Sequence, residues 1–100
     1  MLMVPLKLVT IVAEAILRDH LTAELKHLGA KGFTIIDARG DGSRHLRAGE
    51  LPGENVRIDT IVSAAVAERI LEHVAREYFS NYAVIAYVSD VAVVRGEKYV

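Results

Sequence analysis

Apolar and polar residues recur along this chain in two rhythms, one typical of strands and one typical of helices. Residues 6–12 are apolar, β-branched and almost uncharged, which predicts a strand buried on at least one face. From Glu14 onward the apolar residues recur at helical spacing, with charged residues between them, and Gly29 marks a helix end. A strand is therefore followed by an amphipathic helix, whose predicted apolar positions are Ile16, Leu17, Leu21, Leu25 and Leu28.

The remainder of the chain predicts three more strands and a second helix. Residues 31–38 and 55–62 carry the β-branched and aromatic residues of strands. Ser63 can cap the second helix, which ends near Ser80 and Asn81. Residues 82–88 form a fourth strand, and residues 91–94 either continue it or form another. The second helix has four positions spaced for burial, which are Val66, Ile70, Val74 and Phe79.

The resulting order, βαββαβ, predicts a ferredoxin-like α+β fold, in which an antiparallel sheet carries two helices on one face. One hundred residues fit a single domain, residues 1–100. Strand residues on both faces are apolar, more than two short helices can bury, so the open face of the sheet is expected to meet other copies of the chain. Examples of these residues are Leu8, Ile35, Ile58 and Ile85.

The composition and charge of the chain exclude several classes of function. With 12 basic and 13 acidic residues the net charge is −1, so no global field attracts nucleic acid or an anionic membrane, and any anion site must be local. The absence of cysteine excludes disulfides, thiolate metal sites and cysteine nucleophiles. The first residues lack the basic region of a signal peptide, and no apolar run reaches membrane-spanning length. A soluble, cytoplasmic protein is expected.

The connection at residues 40–54 is much longer than a hairpin needs and is rich in phosphate-binding residue types. Gly40 and Gly42 permit tight or left-handed backbone, and Ser43 offers a hydroxyl. Arg44 and Arg47 could grip two sides of a diphosphate with their planar donor groups. On this segment alone, a solvated loop with no ligand is an equal alternative.

Metal binding and catalysis are not predicted. His20 and His27 share a helix but lie seven residues apart, about 10 Å along its axis, too far for one ion. Glu14, Asp37 and Asp59 could act as acids or bases, but no nucleophile or paired carboxylate spacing accompanies them. The chain is therefore not expected to be an enzyme.

Three segments resemble one family. They are residues 29–34 (GAKGFT), 40–47 (GDGSRHLR) and 78–83 (YFSNYA). With the predicted fold, they make the chain similar to the PII and PII-like signalling proteins over residues 6–90. The resemblance is strongest to the SbtB-type and carboxysome-associated branch.

The resemblance implies a homotrimer that holds AMP or ADP, with ATP or cyclic AMP as further possibilities, in the clefts between subunits. It further implies that the loop at residues 40–54, the family's T-loop, responds to the nucleotide. Bicarbonate is implied as a second ligand and a bicarbonate transporter as a partner. By position Thr34 faces the base, and Tyr87, Val88 and Ser89 approach the adenine or ribose. The implied phosphate contacts are Gly40, Gly42, Ser43, Arg44 and Arg47.

Departures from the nitrogen-sensing branch change the expected chemistry. The loop has no tyrosine to accept uridylylation, and His45 stands where that branch has the glutamine that helps bind metal and 2-oxoglutarate, so that effector is not expected. Few basic groups remain for a third phosphate, which favours AMP and ADP over ATP. Two alternatives stay open: a small nucleotide-hydrolysing enzyme on the same fold, and a passive structural or metal-tolerance module.

Overall fold

The structure, a computed structural model, describes residues 1–40 and 54–95. Its elements are β1 (Met3–Glu14), α1 (Arg18–Leu28), β2 (Thr34–Ala38), β3 (Asn55–Val62), α2 (Ala64–Tyr78) and β4 (Val84–Val94). A 3₁₀ turn at Ala15–Leu17 joins β1 to α1. The four strands form one antiparallel sheet in the order β2-β3-β1-β4, which confirms the predicted ferredoxin-like βαββαβ arrangement.

The main core lies between the helices and one face of the sheet, called here the covered face. The register places Ile11 of β1 opposite Ile58 of β3 and Ala86 of β4, and both isoleucines are fully buried. Burial of such a side chain contributes about 1.5 to 3 kcal/mol. The helices complete this core with Leu21, Leu25, Ile70 and Val74.

Helix α2 begins where the sequence predicts. The Ser63 side chain accepts a hydrogen bond from the Val66 backbone N–H at 3.3 Å, which satisfies one of the unpaired donors at the helix start. At the other end the prediction that Phe79 is buried is wrong, because its side chain is 50% exposed. Tyr78, four residues after Val74, continues the buried stripe, whereas Phe79 is rotated about 100° from it.

Helix α1 begins later than the sequence predicts. Glu14 and Ile16 were expected in the helix, but β1 continues to Glu14, which pairs with Asn55 of β3. The tighter 3₁₀ turn that follows rotates Ile16 away from the core, so that this side chain is 70% exposed. The end at Gly29 is confirmed, because its φ of 114° is a left-handed helix cap.

The structure also changes the predicted start of β2 and decides the alternative left open for residues 91–94. Strand β2 begins at Thr34 rather than at residue 31, because the Gly32 carbonyl accepts a hydrogen bond from the Thr60 hydroxyl at 2.7 Å instead of joining the ladder. Residues 91–94 continue β4, since β1 is long enough to pair with the whole of it, from Met3 opposite Val94 to Ala13 opposite Val84.

The opposite side of the sheet, called here the open face, carries the alternate strand residues. Ile85 is 58% exposed there, and Ile36 and Tyr87 are also exposed. Ile35 and Ile58, by contrast, lie opposite each other on the covered face. Other residues on the same side include Leu8, Thr10, Val12, Thr34, Arg57, Asp59, Ile61 and Ser89.

A polar cluster joins the two helices. The Tyr78 hydroxyl donates a hydrogen bond to Glu24 of α1, and His73 Nε2 lies 3.2 Å from the other carboxylate oxygen of Glu24. The rings of His73 and Tyr78 meet edge to face at 6.4 Å. Burial is the largest cause that raises the pKa of Tyr78 above that of a free tyrosine, and the hydrogen bond to Glu24 is the second.

Replacement of Tyr78 by Phe tests this cluster. Below pH 10 the substitution should lower the free energy of unfolding by about 1 to 3 kcal/mol, because it removes a hydrogen bond to a charged group. An unfolded tyrosine has a pKa of about 10 and loses its proton above that pH, whereas folded Tyr78 still keeps its proton. The contribution of Tyr78 to the free energy of unfolding therefore falls as the pH rises above 10. The difference between wild type and Tyr78→Phe should therefore shrink from pH 8 to pH 11 in urea unfolding, and a constant difference would contradict the assignment.

Candidate ligand-binding site

A cavity of about 440 Å³ opens beside the start of β2. Its wall combines apolar side chains from the two central strands with the glycine turn before β2 and three polar side chains, Lys31, Thr34 and Asp59. That combination suits a flat, partly apolar ligand with hydrogen-bonding atoms at one edge. The lining residues are Leu8, Lys31, Gly32, Phe33, Thr34, Asp59 and Ile61.

The sheet register positions two of the polar side chains of this cavity. Thr34 and Asp59 are directly opposite each other on β2 and β3, so they project from the open face side by side. The buried Thr60 hydroxyl fixes the turn above them through its hydrogen bond to the Gly32 carbonyl. Phe33 is held from outside by Lys26, whose ammonium lies 5.7 Å from the ring centroid.

Asp59 is held from two directions. The Thr10 hydroxyl donates to Asp59 Oδ1 at 2.8 Å, and Arg57 Nε donates to the same oxygen at 3.2 Å. The hydrogen bond from Arg57 and the attraction of the carboxylate raise the pKa of Arg57. Only 22% of the Asp59 side chain is exposed, against 43% for Arg57. The cavity therefore contains an oriented hydrogen-bond acceptor.

A second cavity, of about 550 Å³, lies at the point where the long connection leaves and re-enters the sheet. A Cβ on Gly40 would lie 3.2 Å from the Asn55 side-chain nitrogen, so glycine permits this close approach. Gly40 does so without the left-handed backbone that the sequence allowed, since its φ is not positive. The cavity is lined by Ala15, Asp37, Ala38, Arg39, Glu54 and Asn55.

The predicted site residues fall into three groups. Thr34 lines the first cavity and Gly40 lies beside the second. Strand β4 carries Tyr87, Val88 and Ser89. Gly42, Ser43, Arg44 and Arg47 lie outside the described residues.

The β4 residues do not line the cavity that contains Thr34. One row of paired residues crosses the open face in the order Thr34, Asp59, Thr10 and Tyr87, and its three strand spacings amount to about 14 Å. Ser89 also faces this side, opposite Leu8, whereas Val88 is on the covered side opposite Val9. Thr34 and the β4 residues therefore lie on the two edge strands of the sheet.

Asp59 is a candidate binding residue to which the sequence pattern assigned no such role. It was considered only as an acid or base, because its neighbours in space include residues of β1 and β2. One signal was available: Arg57 and Asp59, two residues apart in a strand, place opposite charges on the same face of the sheet.

Residues 1–40 and 54–95 contain neither a candidate metal site nor a candidate membrane-spanning helix. Within these ranges no group of three or more His, Asp or Glu side chains could hold a metal ion. None of the helices there is both long enough and apolar enough to cross a membrane.

Comparison with known proteins identifies the class. The family model described as nitrogen regulatory protein P-II matches residues 6–98. A crystal structure of a candidate PII-like signaling protein from Thermus thermophilus is 61% identical, with 100% of both chains covered and a TM-score of 0.87.

Structures of CPII from Thiomonas intermedia K12 also match. The structure bound to ADP, AMP and acetate is 25% identical, covers 99% of this chain and 98% of CPII, and has a TM-score of 0.85. The structure bound to ADP and bicarbonate is 27% identical, covers 98% and 97%, and has a TM-score of 0.83. This chain therefore belongs to the PII family.

Replacement of Thr60 by Val tests how the cavity wall is held. The substitution leaves the Gly32 carbonyl without its hydroxyl donor and should lower the free energy of unfolding by about 1 kcal/mol. Thr22→Val is a matched control, because the Thr22 hydroxyl donates to the Asp19 carbonyl at 3.2 Å in an exposed part of α1. Loss of that hydrogen bond should lower the free energy of unfolding by less. Urea unfolding at one protein concentration measures both, and an equal effect would contradict a special role for Thr60.

Proposed function

We propose that this protein is a non-enzymatic PII-like regulator that binds adenine nucleotides, with AMP and ADP preferred over ATP and cyclic AMP. The observation that carries the proposal is the position of the first cavity relative to the loop. Thr34 lines that cavity, and β2 runs from Thr34 to Ala38, about 13 Å, before the chain reaches Gly40. A nucleotide with its base at Thr34 can extend along this strand toward the loop.

The phosphate end of the proposed site is the beginning of the T-loop. Gly40 and Gly42 allow backbone amides to approach an anion, and Ser43 adds a hydroxyl donor. Arg44 and Arg47 supply the charge, through donor groups matched to phosphate oxygens. ADP and AMP in CPII support this choice of ligand.

We assign the second half of the nucleotide site to a neighbouring subunit of a homotrimer. The open face presents apolar side chains such as Ile36 and Ile85 to solvent in a single chain, and assembly would remove them from water. In such an assembly Tyr87 and Ser89 approach the ligand bound at Thr34 of the next subunit. Val88, on an edge strand, contributes its backbone.

The regulatory step in this proposal is the ordering of the T-loop, residues 40–54. A nucleotide held by Arg44 and Arg47 favours one loop conformation, and the loop then offers a different surface to a partner. We place the chain in the SbtB-type, carboxysome-associated branch, acting in the cytoplasm with bicarbonate as second ligand and a bicarbonate transporter as partner. Bicarbonate in CPII supports the second ligand.

The Arg44→Ala/Arg47→Ala double variant tests the phosphate end. It should weaken ADP binding by about 100-fold or more in calorimetry, because two charge-assisted hydrogen-bonding groups are lost. The control Arg18→Ala/Arg76→Ala removes the same charge from exposed helix positions and should bind as wild type.

Titration of wild type with AMP, ADP, ATP and cyclic AMP, each with and without bicarbonate, ranks the ligands. Wild-type binding with no loss in Arg44→Ala/Arg47→Ala would show that the loop is passive. Release of phosphate from ATP during long incubation would replace the regulator with a nucleotide-hydrolysing enzyme.

Assembly through the open face has its own test. Ile85→Lys places a charge on that face and should shift the protein from trimer to monomer in sedimentation experiments. Phe79→Lys is the control, because Phe79 is similarly exposed but lies at the end of α2. Trimers in both variants would show that Ile85 is not in the interface.

A further inference from the structure

We propose that Asp59 selects the base of the nucleotide by accepting a hydrogen bond from an exocyclic amino group, while the Thr34 hydroxyl donates a hydrogen bond to the neighbouring ring nitrogen. The site would then take 6-aminopurine nucleotides and reject 6-oxopurine nucleotides. This inference rests on the nucleotide-binding function proposed above and assigns a specificity-determining residue to its base end.

The first argument is the pairing of the two side chains. Thr34 and Asp59 are directly opposite residues, and both line the same cavity. Side chains so placed have Cβ atoms about 4.5 to 5.5 Å apart, so they can address two adjacent polar atoms on one ligand edge. The Thr34 hydroxyl can donate, and the Asp59 carboxylate can only accept. Adenine has the complementary edge, with an amino group next to an unprotonated ring nitrogen.

The second argument is the way in which Asp59 is held. Thr10 Oγ1 and Arg57 Nε both donate to Oδ1, at 2.8 and 3.2 Å. Among the hydrogen bonds and ion pairs between described residues, none falls on Oδ2. One oxygen therefore anchors the carboxylate, and the other is available to a ligand in the cavity.

The third argument is electrostatic. Arg57 supplies a positive charge 3.2 Å from Asp59 Oδ1. A carboxylate paired in this way accepts hydrogen bonds and does not donate them. In a 6-oxopurine the amino group is replaced by an oxygen acceptor, and the adjacent ring nitrogen carries a proton. An oxygen facing Oδ2 leaves two acceptors in contact, with no hydrogen bond between them. Such a mismatch at a directed polar contact discriminates between bases by about 1 to 3 kcal/mol, which is a factor of roughly 5 to 150.

The rival interpretation is that Asp59 only stabilises the open face, by joining Thr10 of β1 to Arg57 of β3. In that case its charge would matter for folding and assembly but not for the identity of the base. The two interpretations differ in the ratio of affinities for two nucleotides, which a change in stability alone does not alter.

The test compares ADP with inosine diphosphate, which differs in carrying oxygen at position 6 and a proton on the neighbouring nitrogen. In calorimetry, the affinity of wild type for ADP should exceed its affinity for inosine diphosphate by a factor of about ten or more. Asp59→Asn should reduce this ratio at least fivefold, because the amide can turn a donor toward the oxygen. Asp90→Asn makes the same chemical change on β4, outside both cavities, and should keep the wild-type ratio.

Each outcome is decisive. Equal affinity of wild type for the two nucleotides would overturn the selector role, whether or not Asp59→Asn folds. An unchanged ratio in a folded Asp59→Asn would also overturn it, while leaving the nucleotide-binding proposal intact. A wild-type protein that binds neither nucleotide would overturn both proposals.

Discussion

The pairing of β1 with both of its neighbours is the constraint on which the rest of the structure depends. β1 pairs with β3 from Lys7 to Glu14 and with β4 from Met3 to Ala13. A slip of one residue would exchange the two faces of a strand, so the buried isoleucines fix the register strongly. The same register aligns Thr34, Asp59, Thr10 and Tyr87 in one row. Core packing thus determines where the polar groups of the open face lie.

The parts of the fold that could be predicted from the sequence are those set by local chemistry. Ser63 and Gly29 mark helix boundaries through their own conformational preferences, and both predictions were confirmed. The prediction that Ile16 lies on the buried side of the helix was wrong because of a distant residue. Pairing of Glu14 with Asn55 of β3 keeps the chain extended through residue 14, and local spacing does not contain that information. The prediction for Phe79 was wrong although local spacing was sufficient, because Tyr78 is the residue that lies four positions after Val74.

The candidate site was predicted less completely than the fold, for a related reason. Thr34 could be assigned because family resemblance points to the segment that carries it, and it does line a cavity. Asp59 could not be assigned in this way, because its proposed role in base recognition emerges only when β2 and β3 are placed in register. The open face now carries both the proposed base contacts and the apolar surface proposed for assembly. Ligand binding and subunit contact would then be linked through the same strands, as reciprocal coupling requires.

The position of β4 has a consequence for the life of the newly made chain. In the described part of the protein this strand of 11 residues has a partner on one side only, so its outer row of amides and carbonyls is a template for any extended segment it meets. Asp90 interrupts the otherwise apolar second half of the strand, and its charge, held beside Lys7, discourages edge-to-edge aggregation. If the chain assembles as proposed, the unassembled protomer is the form that exposes this edge, and a single acidic side chain helps to protect it.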